Sequence, residues 1–505
     1  MNSPFDDFIS TDTAVLYQNE SAAADGKDPK IIYLLWGDGV KILQRRASRT
    51  LVRARGRHRT GWVPNECLGG KSLMEFYYID VGQGDGVLIK TPDFQHLLID
   101  GGWPRRSQDT GKNAVDFVDW KFYQDYGMDQ IELEAVICSH NDQDHYGGLW
   151  DLLDPSQHEE LDATKVLVKD FYHAGLSWWK KGKSRWLGTH ETWAGESYFT
   201  QLMGGRAEVE AALAGTGPQL AGEWAHFMRR VAESVWKGNR PTGIHRLSHL
   251  DDFLPGFTSN TDQHPAIKVL APVEFEIGGK RGIRRYQGGD SKNTNGNSIM
   301  LRIDFGRTRT LFTGDLNKSS QGWLLKDYKG HTQELECDVA KACHHGSDDV
   351  SYSFLQRLRP AVTVISSGDN EGHDHPRPSI VAASATTGYF ELQDDELISP
   401  LVFSTELARS TSFGRPFKLV RKTPAGSNSE LIEGEDFNRT EIAFAEVKSG
   451  DRNPRLKQQR LDETLVVAGL IYGLVNVRTD GETILCATLD EKDSGWRIHK
   501  VRSRF

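Results

Sequence analysis

Short apolar runs separated by glycine and proline turns dominate the chain from residue 73 onward. Three of them (Glu75–Val81, Gly86–Lys90, Leu97–Ile99) end in aspartate-bearing loops, and a fourth, LEAVICSH, is short and β-branched. Runs of this length and composition predict buried strands. GGLWDLLD then predicts a helix start, so the loop before it lies at the C-terminal edge of a sheet, where sites of layered α/β proteins are found.

The pattern changes between about residues 175 and 262, which are rich in Trp, Ala and Glu. AEVEAALAG and EWAHFMRRVAESVWKG repeat their apolar positions with helical spacing, so we expect a helical insertion here. Strand-like runs return at AIKVLAPVEFEI, NSIMLRIDFG, TRTLFTGD, DVAKACHH and AVTVISSGD. Several of these runs are followed directly by Asp or His.

The two ends of the chain differ from this middle part. Residues 1–29 are polar and rich in small residues, which predicts flexibility. Residues 30–70 predict short strands that end in GWVP, as in a small SH3-like β module. An α/β domain (73–400) with the helical insertion (175–262) follows, and then a β-rich C-terminal extension (401–505). The apolar run LVVAGLIYGLV in the extension fits a pair of core strands or a dimer edge.

Composition excludes several classes of protein. A hydrophobic content of 38% supports real cores, and the net charge of -9 argues against a protein that wraps nucleic acid over its whole surface. Five cysteines without CxxC spacing argue against a disulfide framework or a thiolate zinc cluster. The sequence shows no signal-peptide pattern and no membrane-length apolar run, so we expect a soluble, cytoplasmic protein with no membrane partner.

One segment of the chain is strongly basic although the net charge of the whole chain is negative. Eight Lys or Arg and no acidic residue lie between Lys41 and Arg59. This basic segment could hold a polyanion, with Arg53 and Arg55 as candidate contacts, or it could be a solvated face of the small β module.

The loop SHNDQDHYGGL (139–149) contains a dense H-x-D-x-D-H pattern formed by His140, Asp142, Asp144 and His145. Two adjacent divalent ions could use all four side chains more easily than one. An acidic loop in which Asp142 or Asp144 caps the next helix also fits the spacing. Ligand-type residues at other predicted strand ends favour the metal interpretation: His173, Asp315, His344, His345 and His375, with His373 better explained as an ordinary loop residue.

Six motifs occur in the order DVGQGDGVLI, LLIDGG, SHNDQDHYGGL, NTNGNSIMLRI, LFTGD and HHGS, spanning about residues 73–380. They resemble the metallo-β-lactamase superfamily, specifically its ComEC-like branch, the hydrolase domain of DNA-uptake channel proteins and its free-standing relatives. The resemblance implies an αββα sandwich with two metal ions at the loop ends between the sheets. It implies one ion held by His140, Asp142, His173 and Asp315, and another held by Asp144, His145, Asp315 and one of His344, His345 and His375.

The carboxylate of Asp142 stands where many superfamily members have histidine. An oxygen-rich site suits Mn²⁺ as well as Zn²⁺, so either ion is expected. Asp80 and Asp100 are expected to orient ligands or anchor loops rather than to bind metal.

A dinuclear centre of this kind suits phosphodiester hydrolysis. We expect Asp144 to orient the attacking water, and whichever of His344 and His345 does not bind metal to protonate the leaving oxygen. Asn297 and Ser347 could donate to a phosphate oxygen, and Gln83 and Asp85 could line the substrate mouth. Turn and capping roles explain these last four residues equally well.

The ComEC-like branch is associated with nucleic-acid hydrolysis, and with the basic segment this predicts a nuclease acting on DNA or RNA. Aromatic residues around the insertion could stack bases, although such residues more often form a core or a lid (Tyr172, Trp178, Trp179, Trp186, Trp193). Two alternatives stay open. One is a small-molecule hydrolase of phosphocholine esters, nucleotides or lactones, and the other is an effector that needs a protein partner from its own operon, as in bacterial defence or toxin systems.

Overall fold

The computed structural model describes residues 3–21, 28–108, 111–368, 375–405, 412–422, 428–445, 456–464, 466–468, 473–490 and 495–505. Two β-sheets pack face to face, and helices cover both outer faces. The predicted αββα sandwich is confirmed.

The first sheet has nine strands. In spatial order they are β18 (Gly243–Arg246), β11 (Lys165–His173), β10 (Gln130–Cys138), β9 (His96–Ile99), β8 (Val87–Lys90), β7 (Met74–Ile79), β35 (Leu474–Thr479), β36 (Thr483–Asp490) and β37 (Gly495–Arg502). Strands β9, β10, β11 and β18 are mutually parallel, so their carboxyl ends meet at one edge.

The second sheet has six strands. Their order is β19 (Ala266–Ala271), β22 (Met300–Phe305), β23 (Thr308–Phe312), β24 (Val339–Lys341), β25 (Val362–Ile365) and β28 (Leu401–Ser404). Strands β23, β24, β25 and β28 run parallel, and the loops after β23 and β24 therefore leave from the same edge.

Apolar side chains of the two sheets form one shared core, to which Phe76 and Ile137 contribute from the first sheet and Leu301 and Val364 from the second. A second core lies under the helices of the first sheet, and a third under those of the second. The α-helices are α1 (Ala114–Trp120), α2 (Gln143–Leu153), α3 (Arg206–Ala214), α4 (Gly222–Glu233), α5 (Asp290–Gly296), α6 (Lys318–Asp327), α7 (Tyr352–Leu358), α8 (Pro378–Thr387) and α9 (Gly434–Asn438).

The N-terminal module is a six-stranded antiparallel sheet. Its order is β1 (Asp7–Phe8), β4 (Gly39–Arg45), β5 (Arg49–Arg53), β6 (Thr60–Pro64), β2 (Thr13–Tyr17) and β3 (Lys30–Leu35). The expected flexibility of residues 1–29 is wrong for residues 3–21, because Ile9, Ala14 and Leu16 are buried in the core of this module. Its likeness to an SH3 barrel stays a prediction.

The C-terminal extension is not a separate unit, which corrects the boundary placed at residue 400. Strand β28 completes the second sheet, and β35 pairs with β7 along its whole length, from Leu474 opposite Ile79 to Thr479 opposite Met74. An apolar run predicts a strand but not its partner, and here the partner lies about 400 residues away in the sequence. In the run LVVAGLIYGLV, residues 465 and 469–472 lie outside the described residues, and residues 466–468 and 474–475 lie in strands.

The insertion is mixed rather than helical. Besides α3 and α4 it contains short strands, which are β12 (Trp179–Lys181), β13 (Ser184–Trp186), β14 (His190–Trp193), β15 (Glu196–Phe199), β16 (Val235–Trp236) and β17 (Arg240–Pro241), and β18 joins the first sheet. The two helices have the most regular spacing of apolar residues in this segment, whereas its strands β12 to β17 are only two to four residues long and too short to show a pattern of their own.

The remaining strands form small ribbons around the sandwich: β20 (Glu274–Ile277), β21 (Lys280–Arg284), β26 (Glu391–Gln393), β27 (Glu396–Ser399), β29 (Ser412–Gly414), β30 (Lys418–Lys422), β31 (Asn428–Glu433), β32 (Glu441–Ala445), β33 (Leu456–Arg460) and β34 (Val466–Ala468). Over the parts of the chain that the structure describes, no helix has the length and apolar character needed to span a membrane.

Candidate metal centre

The H-x-D-x-D-H loop connects the end of β10 to the start of α2. Asp142 precedes the first residue of α2, yet its side chain makes no capping hydrogen bond to the helix and instead accepts one from the Thr294 hydroxyl at 2.9 Å. The glycine pair after the loop lets α2 approach the Asp100 loop, because a Cβ on Gly148 would lie only 2.0 Å from the Gly101 carbonyl oxygen. Because the Asp142 carboxylate bonds Thr294 and not the helix, the helix-capping explanation of Asp142 is excluded.

Loops of the second sheet supply the other side chains. Asp315 lies just after β23, and His344 and His345 follow β24 in a tight turn (Cys343–Gly346). Both histidines have positive φ angles, 47° and 52°, which are uncommon for residues with a side chain and are found mostly at functional sites.

These side chains converge on one carboxylate oxygen. Oδ2 of Asp315 lies 3.1 Å from Nε2 of His345, 3.3 Å from Nε2 of His145 and 3.7 Å from Nε2 of His344. Asp144 joins from the N-terminus of α2, with Oδ2 3.8 Å from His345 Nε2. Ligand atoms of Asp144, His145, Asp315 and His345 all lie within 4.8 Å of one another, as binding of a single ion requires.

The other half of the loop lies beside this group. Nε2 of His140 is 3.8 Å from Oδ2 of Asp142, and the His140 and His145 rings are 4.0 Å apart between centroids. The side-chain amide of Asn295 lies between Asp142 and His344, 2.9 Å from Asp142 Oδ2 and 3.3 Å from His344 Nε2.

The hydrogen bonds of the three buried imidazoles fit a metal site. Each Nδ1 has a partner: the Ser139 and Ser298 hydroxyls for His140, the Asp100 carboxylate for His145, and the Ser366 carbonyl for His345. Each Nε2 is buried and, among the described residues, has no hydrogen-bond partner. Rings held through one nitrogen, with the other nitrogen buried and left without a hydrogen bond, are typical of histidines that bind divalent cations.

The charges of the cluster also indicate a metal site. Burial and the neighbouring Asp144 carboxylate raise the pKa of Asp142 to about 7. Burial acts against protonation of His345, but Asp315 and Asp85 raise its pKa to about 9. Carboxylates and imidazoles packed this closely compensate one another with protons, and a divalent cation would take the place of those protons.

Asp85 lies beneath the cluster, not at the substrate mouth. It is buried, forms an ion pair with the buried amino group of Lys341, and its Oδ1 lies 3.2 Å from His345 Nδ1. Burial would raise the pKa of Asp85, but Lys341 and His345 lower it to about 2, so the group is a carboxylate. The turn after β7 folds inward toward β24, which favours the structural explanation of Asp85 over a substrate contact.

Three other predicted substrate contacts, Gln83, Asn297 and Ser347, are buried as well. The Asn297 amide donates to the carbonyl oxygens of Arg284 and Asn293, and the Ser347 hydroxyl accepts from the Asp349 amide, so both hold turns. Asp100 orients His145 at 2.9 Å, and Asp80 accepts from the Gly82 and Gly473 amides. The sequence interpretation missed Thr294, Asn295 and Ser298, although all three lie within the motif NTNGNSIMLRI.

The structure separates the three candidate histidines of the second ion. His345 belongs to the four-residue group around Asp315. His344 is 24% exposed and borders that group. His375 is not part of the group, and its ring lies 5.8 Å from the His344 ring between centroids. His373 lies outside the described residues.

His173 is placed differently from its predicted role. It ends β11 next to Cys138, where its Nε2 donates to the Gly204 carbonyl at 3.0 Å and its Nδ1 accepts from the Gly175 amide at 3.1 Å. Burial lowers its pKa to about 4, so the ring is neutral. With both nitrogens bonded to the backbone, His173 links β11 to the insertion and is not presented to a metal.

We expect His173→Ala to retain the rise in Tm that Mn²⁺ or Zn²⁺ produces, to within about 2 °C of the wild-type rise, because metal-dependent stabilisation depends on affinity for the folded state. The metal-free variant should be destabilised by about 1–3 kcal/mol through its lost hydrogen bonds. Differential scanning fluorimetry with and without metal measures both effects. Loss of the metal-dependent rise would show that His173 is a ligand.

The basic segment forms ion pairs with acidic residues from elsewhere in the chain. The pairs are Lys41–Asp6, Arg45–Asp7, Arg46–Glu20, Arg49–Asp28 and Arg57–Asp129. Arg55 lies over the Trp496 ring and donates to the Tyr33 carbonyl, and the Arg53 guanidinium lies beside Gly127. Five of the eight cations are thus neutralised within the protein, which favours the structural explanation of this segment.

The insertion lies against the metal loop. The indole N–H of Trp178 donates to the Asn141 carbonyl at 3.1 Å, and Phe227 of α4 stacks on Tyr146 of α2. Tyr172, Trp178 and Trp179 are buried and cannot stack bases in this arrangement, Trp186 is half-buried, and Trp193 is 52% exposed. The tryptophans therefore act mainly as core residues that hold the insertion on the loop.

No family model matches the chain. Over 93 residues (18% of this chain and 12% of the relative) it is 29% identical to ComE operon protein 3 of Bacillus subtilis (strain 168). Over 87 residues (17% and 12%) it is 34% identical to Competence protein ComA of Neisseria gonorrhoeae. Each match thus covers about an eighth of the relative, and both support the resemblance to the ComEC-like branch.

Two solved structures are also similar to the chain. The metal-dependent hydrolase of the β-lactamase superfamily Tm1679 shares 13% identity over 66% of this chain and 96% of its own, with a TM-score of 0.29. A diphosphatase of the PhnP family shares 12% identity over 66% and 95%, with a TM-score of 0.27. Scores this low do not bear on the activity of this chain.

Proposed function

We propose that this chain, a metallo-β-lactamase-fold protein that resembles the ComEC-like branch, is a metal-dependent phosphodiesterase that cleaves nucleic acid. The observation that carries the proposal is a set of three buried imidazoles whose Nε2 atoms make no hydrogen bond among the described residues, those of His140, His145 and His345. The Nε2 atoms of His145 and His345 lie 3.3 Å and 3.1 Å from Asp315 Oδ2, and the His140 ring adjoins that of His145. The carboxylates of Asp142 and Asp144 add oxygen ligands, which suits Mn²⁺ as well as Zn²⁺.

Divalent cations held by these residues would supply hydroxide at neutral pH and stabilise negative charge on a phosphoryl group. The chain itself positions the reaction. Asp144 lies at the N-terminus of α2 and can orient the attacking water. His344 is partly exposed and borders Asp315, so its imidazole can donate a proton or a hydrogen bond to the leaving oxygen.

Nucleic acid is the proposed substrate on the strength of the motif resemblance. The alternatives are hydrolysis of a small phosphodiester and a reaction that needs a protein partner. The nuclease and the small-molecule hydrolase differ in what the purified protein does. A nuclease cleaves the polymer by itself, whereas a small-molecule hydrolase turns over bis(p-nitrophenyl) phosphate and leaves the polymer intact.

The test compares single- and double-stranded DNA and RNA incubated with the full-length protein and Mn²⁺ or Zn²⁺. We expect cleavage of at least one polymer, and a loss of at least about 1,000-fold in His140→Ala/Asp144→Ala, since metal assistance contributes several kcal/mol. The matched control is His245→Ala/Asp170→Ala, which removes an ion pair of the same residue types from a more exposed position on β11 and β18. Cleavage that persists in the first variant or in excess chelator would refute the proposal.

A further inference from the structure

The hairpin formed by β12 and β13 carries a concentrated positive charge. Lys180, Lys181, Lys183 and Arg185 are all exposed, and no acidic residue occurs between Asp170 and Glu191. Lys180 pairs with Arg185 and Lys181 with Ser184 across the two strands, so the four cations lie together on one short ribbon.

These cations lack the acidic partners that the basic segment has. Among the described residues, no carboxylate forms an ion pair with any of the four, and Lys180 donates only to the Gln219 side chain at 3.3 Å. Lys181 lies over the Trp186 ring at 4.4 Å, and Arg185 over the Trp178 ring at 4.0 Å. Their charge is therefore available to an external anion, in contrast to that of Lys41, Arg45 and Arg46.

The hairpin lies next to the metal loop. Trp178, which immediately precedes β12, donates to the carbonyl of Asn141, the residue between His140 and Asp142. Arg185 packs over the ring of Trp178, and the same indole contacts the H-x-D-x-D-H loop. The buried Trp179 forms a bridge to Leu220 and anchors the base of the hairpin to the insertion.

We propose that this hairpin binds the phosphate backbone of a nucleic-acid strand and leads it to the metal centre. The inference rests on the proposed function and deepens it by naming the surface that holds the polymer. Unpaired Lys and Arg supply the salt-dependent part of nucleic-acid affinity. An anionic membrane fits less well, because no large apolar side chain of the hairpin is exposed for insertion into lipid.

The experiment measures binding of fluorescein-labelled single-stranded DNA and RNA to the full-length protein by anisotropy, in EDTA and over a range of salt concentrations. The test variant is Lys181→Ser/Lys183→Ser/Arg185→Ser. The control, Lys41→Ser/Arg45→Ser/Arg46→Ser, removes the same charge from the ion-paired segment. Lys181→Ser/Lys183→Ser alone provides a milder variant that leaves the Arg185–Trp178 contact intact.

We expect the triple hairpin variant to bind at least about tenfold more weakly, and its salt dependence (log K against log salt) to be shallower by about 2, because each lost phosphate contact removes about 0.7 from that slope. The control triple should change affinity by less than about twofold. Equal effects of the two triples, or no effect of the hairpin triple, would overturn the proposal. So would hairpin-dependent binding to phosphatidylserine vesicles without binding to oligonucleotides.

Two further measurements separate this inference from the proposed function. Turnover of bis(p-nitrophenyl) phosphate with metal should be unchanged in the hairpin triple, because a small diester does not reach the hairpin. Oligonucleotide binding through the hairpin without cleavage would refute the nuclease and support the surface. Cleavage with wild-type affinity in the hairpin triple would refute the surface alone.

Discussion

His345→Ala will lose most of the metal-dependent stabilisation of the protein, whereas His375→Ala will keep it. His345 presents a buried Nε2 to the Asp315 carboxylate at 3.1 Å and belongs to the four-residue group that can hold an ion. His375 does not belong to that group, and its ring lies 5.8 Å from the His344 ring between centroids. The two substitutions remove the same side chain from neighbouring loops, so each is the control for the other.

We expect metal affinity to fall by more than about 100-fold in His345→Ala, because loss of a group that only orients a ligand already costs 10–100-fold. At a metal concentration about 1,000 times the wild-type Kd, the stabilisation would fall from about 4 kcal/mol to about 1.4 kcal/mol or less. Isothermal titration with Mn²⁺ and Zn²⁺, and the metal-dependent change in Tm, measure this directly. Equal losses in the two variants, or a loss confined to His375→Ala, would show that a different histidine completes the site.

Arg478→Met will destabilise the whole sandwich by about 3–5 kcal/mol, the usual cost of breaking a buried ion pair from one side. Arg478 lies on β35 and is buried between two carboxylates, 2.8 Å from Asp38 of the N-terminal module and 3.4 Å from Glu75 of β7. It also donates to the Trp36 carbonyl. One guanidinium therefore joins the N-terminal module, the first sheet and the C-terminal strands.

The loss of stability is large because the carboxylates of Asp38 and Glu75 remain buried after the guanidinium is removed. Burial would raise the pKa of Glu75, and Arg478 and Lys90 lower it far below its ordinary value, so Glu75 is charged. Lys90 lies 2.7 Å from Glu75, so Glu75 keeps one cationic partner when Arg478 is replaced. Asp38 loses the guanidinium that pairs with it. Arg478→Met/Asp38→Asn should therefore recover part of the stability.

Urea unfolding followed by circular dichroism measures these differences. The matched control is Arg502→Met on β37, which removes an exposed arginine from the same sheet and should change stability by no more than about 0.5 kcal/mol. If Arg478→Met is as stable as this control, the buried network does not hold the three parts of the chain together.

Several features of the site follow from short stretches of sequence. The apolar runs Gly86–Lys90 and Leu97–Ile99 end at the last residues of β8 and β9. A ligand placed directly after such a run lies at the sheet edge. His140, Asp142, Asp144, His145 and Asp315 could be identified in this way, and so could the role of Asp100, which orients His145. The sandwich itself was predictable because six motifs occur in a characteristic order.

Other features depend on residues that are far apart in the sequence. His345 and His375 both follow apolar runs, and only the direction of the turn after β24 brings His345 to Asp315. The sequence leaves open whether the basic segment holds a polyanion or is a solvated face of the N-terminal module. In the structure, acids up to 72 positions away neutralise part of it, as Asp129 does for Arg57. His173 has the sequence context of a ligand, yet Gly204 of the insertion takes its Nε2.

The sequence by itself determined which residue types stand at the strand ends, and hence the kind of chemistry the site can support, because strand formation and turn placement depend on local patterns. Only the tertiary structure decided which side chains meet, which cations are already paired, and that β35 from the C-terminal part completes the first sheet beside β7. Those outcomes depend on packing and charge compensation between distant segments, and no local pattern records them.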